Sequence, residues 1–355
     1  MDWDQATLSR LSGSVLGMLQ REPVEDQSAG HLTMDNWEWP TGVALYGIWK
    51  TYEQSEDPAV LEYLTAWYDR QLAKEPPHRN VNTVGPMLAL VHLYERTGNA
   101  AYLPHIESWA GWVMNEMPRT EFGGLQHITV WNKHYQQLWA DTLFMAVLFL
   151  LKTGLVLSCP DYVEEAKYQF LIHAKYLQDK TTGLWAHGWT FDCRHNFAGA
   201  NWARGNSWFT AASVEMLSML PEHDAACRMV RACLADQVLA LWKLQRESGM
   251  FTTLIDVEET YEETSATAAI AFGVLKAVRM GYIGEGYREM GEKAARAVIK
   301  RIAPDGTVMG VSGGTGMGHD LAHYQRIRQC PTAYGQGLTF LMLTELTLDA
   351  KEDGA

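Results

Sequence analysis

The sequence predicts an all-α fold, an (α/α)6 toroid of six inner and six outer helices, and three observations lead there. Apolar residues recur at helical spacing in twelve segments separated by short Gly-, Pro- and Asp-rich turns. The segments alternate in character: amphipathic helices follow helices that open on a polar cluster and are then apolar nearly all round. Finally, the polar clusters recur at hairpin-sized intervals. Taking Asn36, Asn82, Asp141, Asn206, Ser265 and Tyr334 as markers, the spacings are 46, 59, 65, 59 and 69 residues. A helix that is apolar all round must be buried, so the six polar-capped helices form the inner ring.

In chain order, helices are predicted near 4–22, 38–53, 58–74, 84–97, 100–115, 137–154, 160–178, 203–219, 222–245, 263–279, 285–302 and 332–348. Pro40, Pro86 and Pro331 stand where a first turn tolerates a missing N–H, and Glu56-Asp57-Pro58 reads as another start. Thr97-Gly98-Asn99 and Lys152-Thr153-Gly154 read as stops. Asp161-Tyr162-Val163-Glu164-Glu165-Ala166-Lys167-Tyr168 and Tyr287-Arg288-Glu289-Met290-Gly291-Glu292-Lys293 are charged on one face, as outer helices should be. The inner helices open at Asn36-Trp37-Glu38-Trp39, Asn80-Val81-Asn82-Thr83, Trp139-Ala140-Asp141-Thr142, Trp202-Ala203-Arg204-Gly205, Glu262-Glu263-Thr264-Ser265 and Ala333-Tyr334-Gly335. Because all six run the same way, these clusters meet at one mouth, where the active site is expected.

A chain of 355 residues with 47% apolar and 20% charged residues is ordinary globular material, read as one domain spanning 1–355. The net charge of −13, without a basic run, excludes nucleic acid and anionic membranes as partners. The start, Met1-Asp2-Trp3-Asp4-Gln5, lacks the basic and apolar pattern of an export signal, and no stretch of eighteen apolar residues follows, so a cytoplasmic location is expected. Five scattered cysteines contain no CxxC pair, and no HxH, HExxH or Asp-rich cluster appears; no metal or cofactor is expected. Oligomeric state is not legible.

Six helix N-termini aimed at one funnel favour an anionic ligand, and a sugar carboxylate fits. Arg204, between Trp202 and Trp208, offers a charged fork for a carboxylate beside flat faces for a sugar ring; a structural pairing with a buried acid is the competing role. Asp141 opens the most apolar inner helix. It is either an N-cap or a catalytic acid, and an acid requires desolvation to outweigh the helix dipole. Asn36, in the first cluster, and His127, on the rim with His134, His187, His195 and His319, are candidate substrate contacts. Ser312-Gly313-Gly314-Thr315-Gly316-Met317-Gly318-His319-Asp320 reads as a flexible rim loop, since it lacks the Lys of a phosphate loop.

From about Asp35 to Leu348 the chain resembles the unsaturated rhamnogalacturonyl hydrolases of glycoside hydrolase family 105, related to the unsaturated glucuronyl hydrolases of family 88. The resemblance rests on Trp139-Ala140-Asp141-Thr142-Leu143-Phe144-Met145, Trp185-Ala186-His187-Gly188-Trp189, Trp202-Ala203-Arg204-Gly205-Asn206-Ser207-Trp208, Glu263-Thr264-Ser265-Ala266-Thr267-Ala268 and Tyr334-Gly335-Gln336-Gly337. It implies a hydrolase that removes a terminal 4,5-unsaturated uronic acid from a pectin-derived oligosaccharide by hydrating the C4=C5 vinyl ether. Asp141 matches the residue that protonates C4 and helps water add at C5, so the usual carboxylate pair is not required. The resemblance also makes His187 a substrate contact and places Arg204, Trp202 and Trp208 in the substrate-holding part. Asn82 departs from it, since many relatives carry Asp there; an amide can position water or substrate but holds no proton. A sugar epimerase working through paired histidines, and a glycan-binding toroid without catalysis, remain the alternatives.

Overall fold

The computed structural model describes residues 5–21 and 32–352, so the extreme ends of the predicted 4–22 helix and the segment Met1 to Asp4 lie outside the described residues. The chain forms α1 (Gln5–Leu19), α2 (Trp39–Ser55), α3 (Pro58–Leu72), the single turn α4 (Val81–Val84), α5 (Met87–Thr97) and α6 (Leu103–Asn115). Strand β1 (Gln137–Trp139) leads into a helix that starts with a π-helical stretch (Leu143–Val147) and continues as α7 (Leu148–Val156). Then come α8 (Pro160–Leu177), β2 (Gly188–Thr190), α9 (Ala203–Met219), α10 (Ala225–Leu244), α11 (Thr264–Arg279), α12 (Arg288–Ile299), the short α13 (Leu321–Gln325) and α14 (Ala333–Glu352).

The inner ring is α2, α4 with α5, α7 with its π turn, α9, α11 and α14. Each packs on the next, and α14 closes the ring against α2. The seam is tight because it is lined by glycine: a Cβ on Gly337 would lie 2.6 Å from the Val43 carbonyl oxygen. Outside the ring, α3, α8, α10 and α12 pack on α2, α7, α9 and α11, α6 bridges α5 and α7, and α1 covers α14. The burial explains the alternation in the sequence. From Ala203 to Leu217 every residue of α9 is buried, whereas α12 buries only Met290, Gly291, Ala294, Ala295, Ala297 and Val298.

Most boundaries follow from capping. Asp57 accepts a hydrogen bond from Ala59 N (2.9 Å) with Pro58 opening α3, and Gly98 ends α5 with φ of 63°. Four expectations are corrected. The fourth predicted helix, the second of the inner ring, is broken at Gly85-Pro86, because Asn80 and Thr83 already close a capping box around α4. Gly154 does not stop its helix, which runs to Val156. Pro331 lies outside the last helix, which opens at Ala333. Residues 137–139, read as helix, pair as a strand with 188–190, Trp139 facing Gly188.

Candidate active site

Four inner-ring N-termini, those of α2, α4, the π turn before α7, and α9, open on a cavity of about 480 Å³ lined by Glu38, Trp39, Asn82, Asp141, Met145, Trp202 and Arg204, with a rim from His127, Thr129, Val130, Trp131, Asn132, His134, Trp139 and Gly314-Thr315-Gly316. That volume lies within the usual range for small-ligand sites.

Asp141 owes its place to the two-stranded ladder. The β1–β2 pairing continues into a bond from Ala140 N to the His187 carbonyl (3.0 Å), which fixes His187 beside the start of the helix. Gly188 permits this approach: a Cβ there would meet Met317 Cε at 2.2 Å and the Leu138 oxygen at 2.9 Å. Asp141 Oδ2 then lies 3.4 Å from His187 Nε2, and neither atom has another protein partner among the described residues. The helix opens without a side-chain cap, so Asp141 does not play the capping role. The π turn that follows keeps Met145 on the same cavity wall.

Burial raises the Asp141 pKa, but the hydrogen bond from His187 and the positive field of its neighbours, Arg204 among them, outweigh it, and the carboxyl rests below its ordinary value. Of the two competing effects desolvation does not win, and the resting group is a carboxylate. Burial holds His127 and His134, the two histidines against the Trp139 indole, neutral. Burial brings His127 down to about 3, and its Nδ1 lies 2.9 Å from Thr142 Oγ1 while its ring stacks on Trp139 at 4.0 Å. His134 is also lowered by burial and packs on the same indole at 4.5 Å.

Arg204 is fully buried between Trp202 (4.5 Å) and Tyr334 (5.0 Å). Its Nη1 donates to the Ser312 carbonyl and hydroxyl, its Nη2 to the Gly313 carbonyl (2.8 Å), and Glu263 lies 4.0 Å away. The competing structural role is therefore real: most of the fork anchors the glycine-rich loop, although Arg204 still reaches the cavity wall. Glu263 is equally committed, accepting from Ser312 N, Ser265 Oγ and Ala266 N.

Of the expected contacts, Asn82, His127, Trp202 and Arg204 line the cavity with Asp141. His187 stands behind Asp141, buried, and touches the carboxylate rather than the cavity. Trp208 is not at the mouth: four residues beyond Arg204 it lies about 6 Å deeper along the helix, packed on Phe144 at 5.3 Å. Asn36 is exposed and off the cavity, because α2 begins at Trp39 and presents Glu38 instead. His195 and His319 pack around Phe197, away from the cavity lining.

Sequence reasoning passed over Glu38. Asp141 is the one carboxylate that the sequence singles out, yet Glu38 lines the same cavity beside Asn82 and caps α2 at Trp39 N; burial raises its pKa, against the opposing pull of Trp39 N–H and Asn82. The signal was present in Asn36-Trp37-Glu38-Trp39 but was assigned to its asparagine. Trp131, 93% exposed on the rim, and Tyr324, whose hydroxyl lies 2.8 Å from His187 Nδ1, were also missed.

The sequence model of Glycosyl Hydrolase Family 88 matches residues 17–348. The unsaturated rhamnogalacturonyl hydrolase YesR of Bacillus subtilis (strain 168) is 34% identical over 318 residues, covering 87% of this chain and 89% of that protein. Two crystal structures described as possible members of the GH105 family share 43% identity with it. One, from Salmonella enterica serovar Paratyphi A, superimposes with a TM-score of 0.95 over 98% of this chain and 96% of its own. The other, from Klebsiella pneumoniae, has a TM-score of 0.93 over 98% and 95%. A helical toroid whose inner helices open on a cavity around one under-bonded aspartate, matched along nearly its whole length by these relatives, belongs to glycosyl hydrolase family 88 and is a glycosidase.

Proposed function

We propose that this enzyme removes the terminal 4,5-unsaturated uronic acid from rhamnogalacturonan fragments left by a polysaccharide lyase. The observation that carries the reading is Asp141, a carboxylate with an unbonded oxygen in a cavity with aromatic and amide walls. A vinyl ether needs one proton donor and one water, and does not need two carboxylates at a diagnostic separation.

In the proposed reaction Asp141 delivers a proton to C4, and the positive charge that develops at C5 is shared with the ring oxygen. Water adds its oxygen to C5 and returns a proton to Asp141. The resulting hemiketal opens to a C5 ketone, and the C1 hemiacetal so exposed expels the shortened sugar as an alcohol. The low resting pKa of Asp141 is compatible with this role because the substrate brings its own charge. A uronate beside Asp141 is a like charge that raises the pKa, so binding loads the acid. Trp39, Trp139 and Trp202 supply ring faces, Asn82 and His127 supply hydrogen bonds, and Arg204 has its Nε–H and one Nη2 hydrogen left beyond the loop contacts. The substrate named for YesR supports rhamnogalacturonan as the source.

We assign the reaction to the cytoplasm. All five cysteines are free, in keeping with a reducing compartment.

The test follows the ultraviolet absorbance of the conjugated uronate as purified protein meets lyase-digested rhamnogalacturonan or a glucuronan digest. Loss of absorbance with a rhamnose-ended product on the first digest is expected. Flat traces on both would overturn the reading and return the rim histidines to consideration as epimerase groups.

A further inference from the structure

The geometry points to Tyr324 as a positioning residue that sets the tautomer of His187 and thereby directs an N–H at Asp141. This deepens the proposed function, resting on it for Asp141 as the reacting group. Tyr324 comes from α13, in the excursion between Ser312 and Gln329 that precedes the last inner helix, and its ring is buried against Trp202 and His187, each 5.7 Å away between centroids.

The argument is an account of hydrogens. A tyrosine hydroxyl has one hydrogen to give and lone pairs to receive. Gly318 N donates to Tyr324 Oη at 3.1 Å, which occupies a lone pair. Two acceptors compete for the hydroxyl hydrogen: His187 Nδ1 at 2.8 Å and Met317 Sδ at 3.6 Å. A thioether is the weaker acceptor and here the more distant one, so the hydrogen goes to Nδ1. Nδ1 therefore keeps its lone pair, and a neutral His187 must carry its proton on Nε2. Nε2 faces Asp141 Oδ2 at 3.4 Å, and both atoms lack any other protein partner among the described residues. The opposite tautomer would set a lone pair against a carboxylate and leave the tyrosine hydrogen to sulfur.

The other groups around this pair do not disturb the order. Trp139 and Trp202 pack on the His187 ring at 5.1 and 4.3 Å. The titratable or charged groups around Asp141 are His187, His127 and Arg204, with His134 across the Trp139 indole, Tyr324 behind His187 and Glu38 on the same cavity wall. Burial raises the Tyr324 phenol, which keeps its hydrogen at any working pH. Tyr324 does not line the cavity, so its effect reaches the substrate only through His187 and Asp141.

Protein labelled with ¹⁵N-histidine, with the His187 ring signals assigned by their loss in His187→Gln, reads the tautomer directly and independently of any activity. We expect Nε2 protonated and Nδ1 bare in the wild type, with Tyr324→Phe moving population toward the Nδ1–H form. A wild-type ring protonated on Nδ1, or a ring unchanged in Tyr324→Phe, overturns the inference even if the enzyme proves active on unsaturated uronides. If no turnover is found on any uronide, the ring measurement still decides the tautomer, so the two readings fail separately. In the kinetic arm, Tyr324→Phe should lower kcat about tenfold, as loss of one buried hydrogen bond implies, leave KM within about twofold, and displace the acid limb of the kcat profile. An unchanged kcat and an unchanged pH profile together would sever the link to Asp141.

Discussion

Each end of the toroid holds a carboxylate, partly buried at the mouth and fully buried at the far end, and the two are treated in opposite ways. At the mouth, Asp141 Oδ2 has only a long contact with His187. At the far end, where α2, α5, α9, α11 and α14 come together, Glu215 is saturated: Lys276 donates to Oε1 at 2.7 Å, the Tyr46 hydroxyl to Oε2 at 2.5 Å, and Lys50 lies 3.9 Å away. Burial alone would push Glu215 up, but Lys276 and Lys50, with the hydrogen bonds, bring it down to about 2. Both carboxylates are thus ionised, and both sit in the inner ring. What separates them is the count of partners: a fully bonded buried acid holds helices together, whereas an under-bonded one facing a cavity is free to exchange a proton.

The sharpest break in this comparison is Asp141→Asn. It preserves shape but removes the proton, so kcat should fall by about 10²–10⁴-fold, while thermal denaturation monitored by circular dichroism stays at the wild-type midpoint. Retained turnover would show that Asp141 is no different in kind from Glu215. The converse substitution, Glu215→Gln, leaves Lys276 buried without its counter-charge and should cost roughly 3–5 kcal/mol of stability, with the kcat of the folded fraction unchanged. Its pH dependence has a definite sign. The folded pKa is depressed from the ordinary 4.5 to about 2, so the Glu215 contribution is complete above about 4.5 and is lost as pH falls toward 2. Urea titrations across that window should show wild type and Glu215→Gln converging as the acid protonates. The smallest effect belongs to the rim: Trp131→Ala should raise KM for a disaccharide several-fold, in line with about 1 kcal/mol for an aromatic contact, without changing kcat. An unaltered KM would remove Trp131 from the substrate path.

How far the sequence could be read depended on how local each cause was. Pro58 after Asp57, the glycine after Thr97, and the switch from the charged face of α12 to the buried length of α9 announce their structure within one or two turns. The grouping of six polar N-termini followed because helical hairpins that alternate inside and outside a ring must run parallel on the inside. Asp141, Asn82, Trp202 and Arg204 belong to those clusters, His127 to a loop that precedes one of them, and all line the cavity. Trp208 was misplaced because proximity in sequence to Arg204 becomes depth along a helix axis, and Asn36 because the cap of α2 fell two residues later, on Glu38.

From its own order of residues, then, the chain determines the helices, their alternation and the acidic group that opens the third inner helix. These depend on side-chain periodicity and capping, which act over a few residues. The tertiary structure alone decides that Tyr324 meets a histidine 137 positions earlier, that Glu38 meets Asn82, that the Arg204 fork is largely spent on the Ser312 loop, and that Asp141 rests below its ordinary pKa. Hydrogen-bond partners and local fields are set by distances of a few ångströms between segments that only ring closure brings together, and no local pattern encodes them.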